Sequence, residues 1–160
     1  MAEQKSPAEM YHDLRAMAFG VTAEQLGLHP SSERVSPFGI IMEMGLSKGT
    51  VTVVSFVTGD ASIYLSSGGG MIGGSGHESV RAAAKQFVSA SNGYVTRLKR
   101  VSDFPRPSAG NVIFYVLTNK GTLRSDELAE DDLGHRRSEF SSLFYAGQDV
   151  ITQLRLVTPP

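Results

Sequence analysis

The stretch that most limits what this chain can become is Ser66-Ser67-Gly68-Gly69-Gly70-Met71-Ile72-Gly73-Gly74-Ser75-Gly76-His77-Glu78-Ser79, where six of the nine residues from Gly68 to Gly76 are glycine. Glycine reaches positive φ and lets another backbone or a ligand come close, so such a run punctuates a fold rather than filling its core. A strand-like segment precedes it and a helical pattern follows it. That order can also place free N–H groups around an anion. Gly68, Gly70 and Gly73 spell G-x-G-x-x-G. The dinucleotide fingerprint needs in addition an acid about 20 residues on, after a second strand. That region holds Asn92, Gly93 and Tyr94, and the next acid is Asp103. No Gly-Lys-Ser/Thr follows, which excludes a Walker loop. His77 stands where G-x-S-x-G around Ser75 would need glycine. Ser75 and Glu78 instead form a capping box, which puts a carboxylate where a phosphate would sit. The first reading is therefore a flexible strand-to-helix connection. The second is an anion site built from Ser67, Gly68, Gly69, Gly70, Gly73, Gly74, Ser75, Gly76 and His77.

The 160 residues are enough for one domain with a real core. Net charge of −1 leaves no electrostatic footprint for nucleic acid. No cysteine is present, so disulfides, a thiol nucleophile and Cys-ligated zinc are excluded. Met1 to Lys5 lacks a hydrophobic signal core and no apolar run approaches membrane-spanning length, so the expected location is the cytoplasm.

Ser6-Pro7-Ala8-Glu9 opens a first helix, with Ser as cap, Pro at the first turn and Glu at N3. Met10, Leu14, Met17 and Val21 recur at helical spacing and form its expected apolar stripe. Thr22 to Gln25 is a second capping signal, and the helical segment is read over 7–27. A meander of three strands follows over 37–66. In its first strand Phe38, Ile40, Met42 and Met44 share one face, and Gly39, Ile41, Glu43 and Gly45 share the other. Gly59-Asp60 reads as a two-residue hairpin turn. The glycine connection over 67–76 leads into a central helix over 76–100, which Ser91-Asn92-Gly93 kinks or divides. Arg97, Lys99 and Arg100 then belong to a charged last turn. A hairpin covers 111–125. Its first strand is apolar on both faces, with Val112, Phe114 and Val116 on one and Ile113, Tyr115 and Leu117 on the other. Such a strand is central and covered on both sides, by helices or by a second copy of the protein. Asp131 and His135 lie four apart but lack an obvious third ligand, so no metal site is read. The last helix is read over 138–156. Its stripe of Phe140, Leu143, Phe144, Gly147, Val150, Ile151 and Leu154 suits a core or a dimer seam, and Phe140, Phe144 and Tyr145 are its candidate partner-contacting residues.

These elements predict an α+β domain with a two-layer, five-stranded, mainly antiparallel sheet in the order α-(α)-β-β-β-α-β-β-α. That order resembles the secretion-chaperone-like fold of type III secretion chaperones and related bacterial sensory-transduction-like proteins. The resemblance rests on element order from about Pro7 to Val157, without a motif. It implies a homodimer that binds a protein segment rather than catalysing a reaction. A roadblock- or profilin-like sheet, with strands split two-then-three, is the other architecture.

Three functions follow. The first is a non-enzymatic homodimeric binding, adaptor or chaperone-like protein without cofactor. The second is a small-anion or nucleotide binder at residues 68–76. The third is an enzyme using Ser75 or Ser79 with His77, for which no orienting acid is visible.

Overall fold

The computed structural model describes residues 4–73 and 76–158. Ser6 caps helix α1 (Pro7–Phe19) by accepting the Glu9 N–H at 3.1 Å. Thr22 and Gln25 exchange side-chain and backbone hydrogen bonds and hold a short 3-10 turn, Glu24–Leu26. The meander follows as β1 (Pro37–Leu46), β2 (Gly49–Phe56) and β3 (Ala61–Leu65). Part of the glycine stretch is itself a strand, β4 (Gly70–Ile72), paired antiparallel to β3. Helix α2 (Glu78–Ser91) is next, then a 3-10 turn over Asn92–Arg97 and strand β5 (Lys99–Val101). Strands β6 (Asn111–Thr118), β7 (Gly121–Arg124) and β8 (Leu128–Ala129) precede α3 (Glu130–Gly134) and α4 (Ser141–Val157).

All pairings described are antiparallel, in the order β4-β3-β2-β1-β6-β7-β5, with β8 continuing along β6 beyond β7. The α+β class and the five expected strands are present as β1, β2, β3, β6 and β7. The sheet has eight strands rather than five because β4, β5 and β8 add two or three residues each. They form where the chain runs beside an open edge, and strands this short carry too little side-chain periodicity to be read.

The two faces of the sheet are covered differently, and this replaces the expected two layers. On one face Ile40, Met42, Val53, Phe114 and Val116 pack against Val80, Ala84 and Phe87 of α2 and Leu143, Val150 and Leu154 of α4. Gly147 lets α4 approach closely, since a Cβ there would lie 2.7 Å from Met42 and 2.9 Å from Phe87. On the other face Ile41, Val54, Ile113, Tyr115 and Leu117 pack against Ala18, Ala23 and Phe19 of the N-terminal region and Phe104 of the 102–110 loop. The cover that β6 requires on its second side thus comes from the chain's own α1 and loops.

Several local expectations change for physical reasons. Phe38 joins the Ile41 face, because a bulge between Pro37 and Gly39 shifts the register of β1 against β6. The hairpin after β2 closes with Phe56 N–H on Asp60 C=O, so its loop is the three residues Val57, Thr58 and Gly59, with Gly59 at φ 96°. The central helix stops at Ser91, whose hydroxyl donates back to Val88 C=O at 2.5 Å, and Asn92-Gly93 continues only as 3-10. Lys99 and Arg100 therefore lie on an edge strand and not in a helical last turn. The N-cap of α2 is His77, without a side-chain capping bond, and the Ser75 of the expected capping box lies outside the described residues. Helix α4 begins at Ser141 rather than Ser138.

Candidate functional site

The expected stripe of α1 is only partly turned to the sheet: Met10 is 53% and Met17 69% exposed and Leu14 is half-buried, while Val21 packs on the sheet cluster and Tyr11 and Ala18 are buried. A single residue in β1 explains the rotation. Glu43 is fully buried on this face, and a carboxylate there needs a partner and hydrogen bonds. Arg15 supplies both: Nε donates to Oε2 and Nη2 to Oε1, each at 2.8 Å, and Nη2 also donates to Phe104 C=O at 2.6 Å. Thr52 donates to Glu43 Oε2 at 2.7 Å, and Tyr11 Oη lies 2.7 Å from Thr52 Oγ1. Presenting Tyr11 and Arg15 to the sheet turns Met10 and Met17 outward. Burial works against the Arg15 charge, but the Glu43 hydrogen bonds and charge outweigh it and its pKa rises. Burial raises the Tyr11 hydroxyl, and chiefly burial, with Glu43 adding, pushes Tyr115 up to about 12.

Beside this network α1 stands off from the β3–β4 hairpin and leaves a cleft of about 480 Å³. One wall is Pro7, Met10, Tyr11 and Leu14. The opposite wall is Tyr64, Leu65 and Ile72, and the rim is Ser67, Gly68, Gly69 and Gly70. The hairpin is tight: Gly68 N–H donates to Leu65 C=O at 2.9 Å and Leu65 N–H donates to Gly69 C=O at 3.1 Å. Gly70 has φ 154°, and a Cβ on it would lie 2.0 Å from Ile63 O, so only glycine fits there.

The structure therefore divides the candidate stretch. Ser67, Gly68, Gly69 and Gly70 line the cleft; Gly73, Gly76 and His77 do not, and Gly74 and Ser75 lie outside the described residues. Among the described residues no lysine, arginine or histidine lines the cleft. His77 and Ser79 are both exposed, and no hydrogen bond joins them. Phe140 and Phe144 are each 5% exposed and belong to the α2/α4 core, with Phe140 stacked between Tyr94 and Phe114. Tyr145, 39% exposed, is the member of that trio at the surface. Asp131 holds His135 Nδ1 through its backbone C=O at 2.8 Å and shares its carboxylate with Arg137 at 2.5 Å. Among the described residues no three His, Cys, Asp or Glu side chains are grouped to hold a metal ion, and no described helix is long and apolar enough to cross a membrane.

Sequence reasoning missed Tyr11, Arg15, Thr52 and the apolar cleft walls. One signal was available: Glu43 is the lone charge in the apolar run from Phe38 to Met44. No protein-family model, no curated protein and no solved structure matches the chain.

Proposed function

We propose that the protein is a non-enzymatic binding module whose cleft takes the apolar side chains of an extended segment of a partner protein. The carrying observation is the lining: Pro7, Met10, Leu14, Leu65 and Ile72 surround about 480 Å³, with no charged side chain among the described lining residues. That volume lies in the range of ligand pockets, roughly 300–1,000 Å³. Removing apolar side chains from water drives such binding, whereas a phosphate or carboxylate would lose hydration there without a countercharge. The cleft is open along Met10 and Ile72, both more than half exposed, which suits a chain segment more than an enclosed small molecule. The resemblance of the element order expected from the sequence to that of secretion-chaperone-like proteins points the same way.

Selection of a random peptide library on the immobilised protein tests it. Enriched sequences should carry closely spaced large apolar residues, and Leu14→Asp should weaken their binding about tenfold or more. Enrichment of acidic or phosphorylated sequences alone, or peptides indifferent to Leu14→Asp, would remove the reading.

A further inference from the structure

We propose that a second copy of this chain docks on the edge of β4 that no described strand pairs, the two β4 strands pairing antiparallel about a two-fold axis through Met71. The register comes from the hairpin. Leu65 N–H bonds to Gly69 C=O, and Ile63 lies opposite Met71. Antiparallel alternation makes Ile63–Met71 the next hydrogen-bonded pair. The backbone groups of Met71 therefore turn inward to β3, and those of Gly70 and Ile72 turn outward. An edge that reads outward–inward–outward over Gly70, Met71 and Ile72 is complementary to itself. Gly70 of each copy faces Ile72 of the other, giving four N–H to C=O bonds from two such pairs.

The side chains agree with this register. Gly70 and Ile72 both lie on the cleft side of β4. Pairing sets Ile72, 69% exposed, over Gly70 of the second copy, a position that has no side chain and cannot accept one. The large residue of each strand thus meets the bare backbone of the other, at the mouth of the other cleft. Closure of the clefts rests on the binding reading above; the pairing of the edges does not. The opposite edge of the sheet carries Lys99 and Arg100 on β5, charges of the kind that keep strand edges apart, while β4 carries none. A three-residue edge with Met10, Leu14 and Ile72 beside it is small against the roughly 800 Å² per partner of a standard interface. The dimer is accordingly a weak, reversible one.

Sedimentation equilibrium over a rising concentration series, with amide hydrogen exchange read by NMR on the same samples, tests the proposal. The mass should climb toward two subunits. Exchange at Gly70 and Ile72 should slow about tenfold between dilute and concentrated samples, with Met71 unchanged because it pairs with β3 in both states. Ile72→Lys should weaken association about tenfold or more without moving the urea midpoint. A chain that stays monomeric throughout, or a dimer whose Gly70 and Ile72 amides exchange as fast as in the monomer, overturns the pairing. A monomer that still enriches apolar peptides ends this proposal and leaves the binding reading standing. A dimer protected at Gly70 and Ile72 that enriches no peptide does the reverse.

Discussion

The two faces of the sheet solve the same burial problem in opposite ways. Under α2 and α4 the contact is mainly apolar, with the buried Ser55 hydroxyl the exception on the sheet, and Gly147 lets helix and sheet approach closely. Under α1 a smaller apolar cluster shares its space with a buried ion pair, two hydroxyls and an open cleft. The first arrangement suits stability, since density and apolar area set its strength. The second fixes α1 in one orientation at one cluster of polar contacts and leaves Met10 and Leu14 unfilled beside it. A face used for binding has to keep some apolar surface uncommitted, and the α1 face does so at Met10, Ile72 and the cleft.

The largest expected effect is on the closed face. Phe87→Ala removes a fully buried ring between α2, α4 and β1 and should cost about 4 kcal/mol in urea unfolding. A loss below about 1 kcal/mol would mean that this face is not the stabilising one. The α1 face comes next. Arg15→Leu leaves Glu43 buried without its partner and should cost about 3 kcal/mol, and the double variant Arg15→Leu/Glu43→Leu should regain most of that loss. If the double variant is no better than the single one, packing and not charge holds α1.

Alkaline pH sharpens the comparison further, because Tyr115 ionises only at about 12 in the folded chain, against the ordinary value of 10.0. A raised folded pKa means that stability is intact below the unfolded value and falls as pH rises from there toward the folded one. Stability should therefore drop between about pH 10 and 12, by up to roughly 2 kcal/mol from this group. Tyr115→Phe should flatten that slope while losing about 1 kcal/mol at neutral pH with its hydrogen bond to Pro105 C=O. The smallest stability effect belongs to the cleft: Leu14→Asp should change the urea midpoint little, because the side chain borders solvent and is not part of a buried cluster.

Legibility followed the range of the interactions. The caps at Ser6 and Thr22 were readable because donor and acceptor lie three residues apart. The two-sided pattern of Val112 to Leu117 was readable because burial on both faces leaves an unbroken apolar run. The apolar stripe of α4 was readable by its helical spacing, and its buried face matches, although the Phe140 and Phe144 it contains lie inside the core. The orientation of α1 was not readable. Its local pattern favours the Met10–Leu14–Met17 stripe, and the contact that decides otherwise, Arg15 to Glu43, spans 28 residues. The same holds for the site. The glycine stretch was recognisable as special, but the apolar wall facing it is Pro7, Met10 and Leu14, which only the folded chain brings beside it.

The most direct measurement is a map of backbone amide shifts as a peptide enriched by selection is titrated into the labelled protein. The account predicts that the changes concentrate at Met10, Leu14, Leu65 and Gly68 to Ile72. Changes centred on α2 and α4, or on His77 to Val80 with the cleft silent, would contradict it.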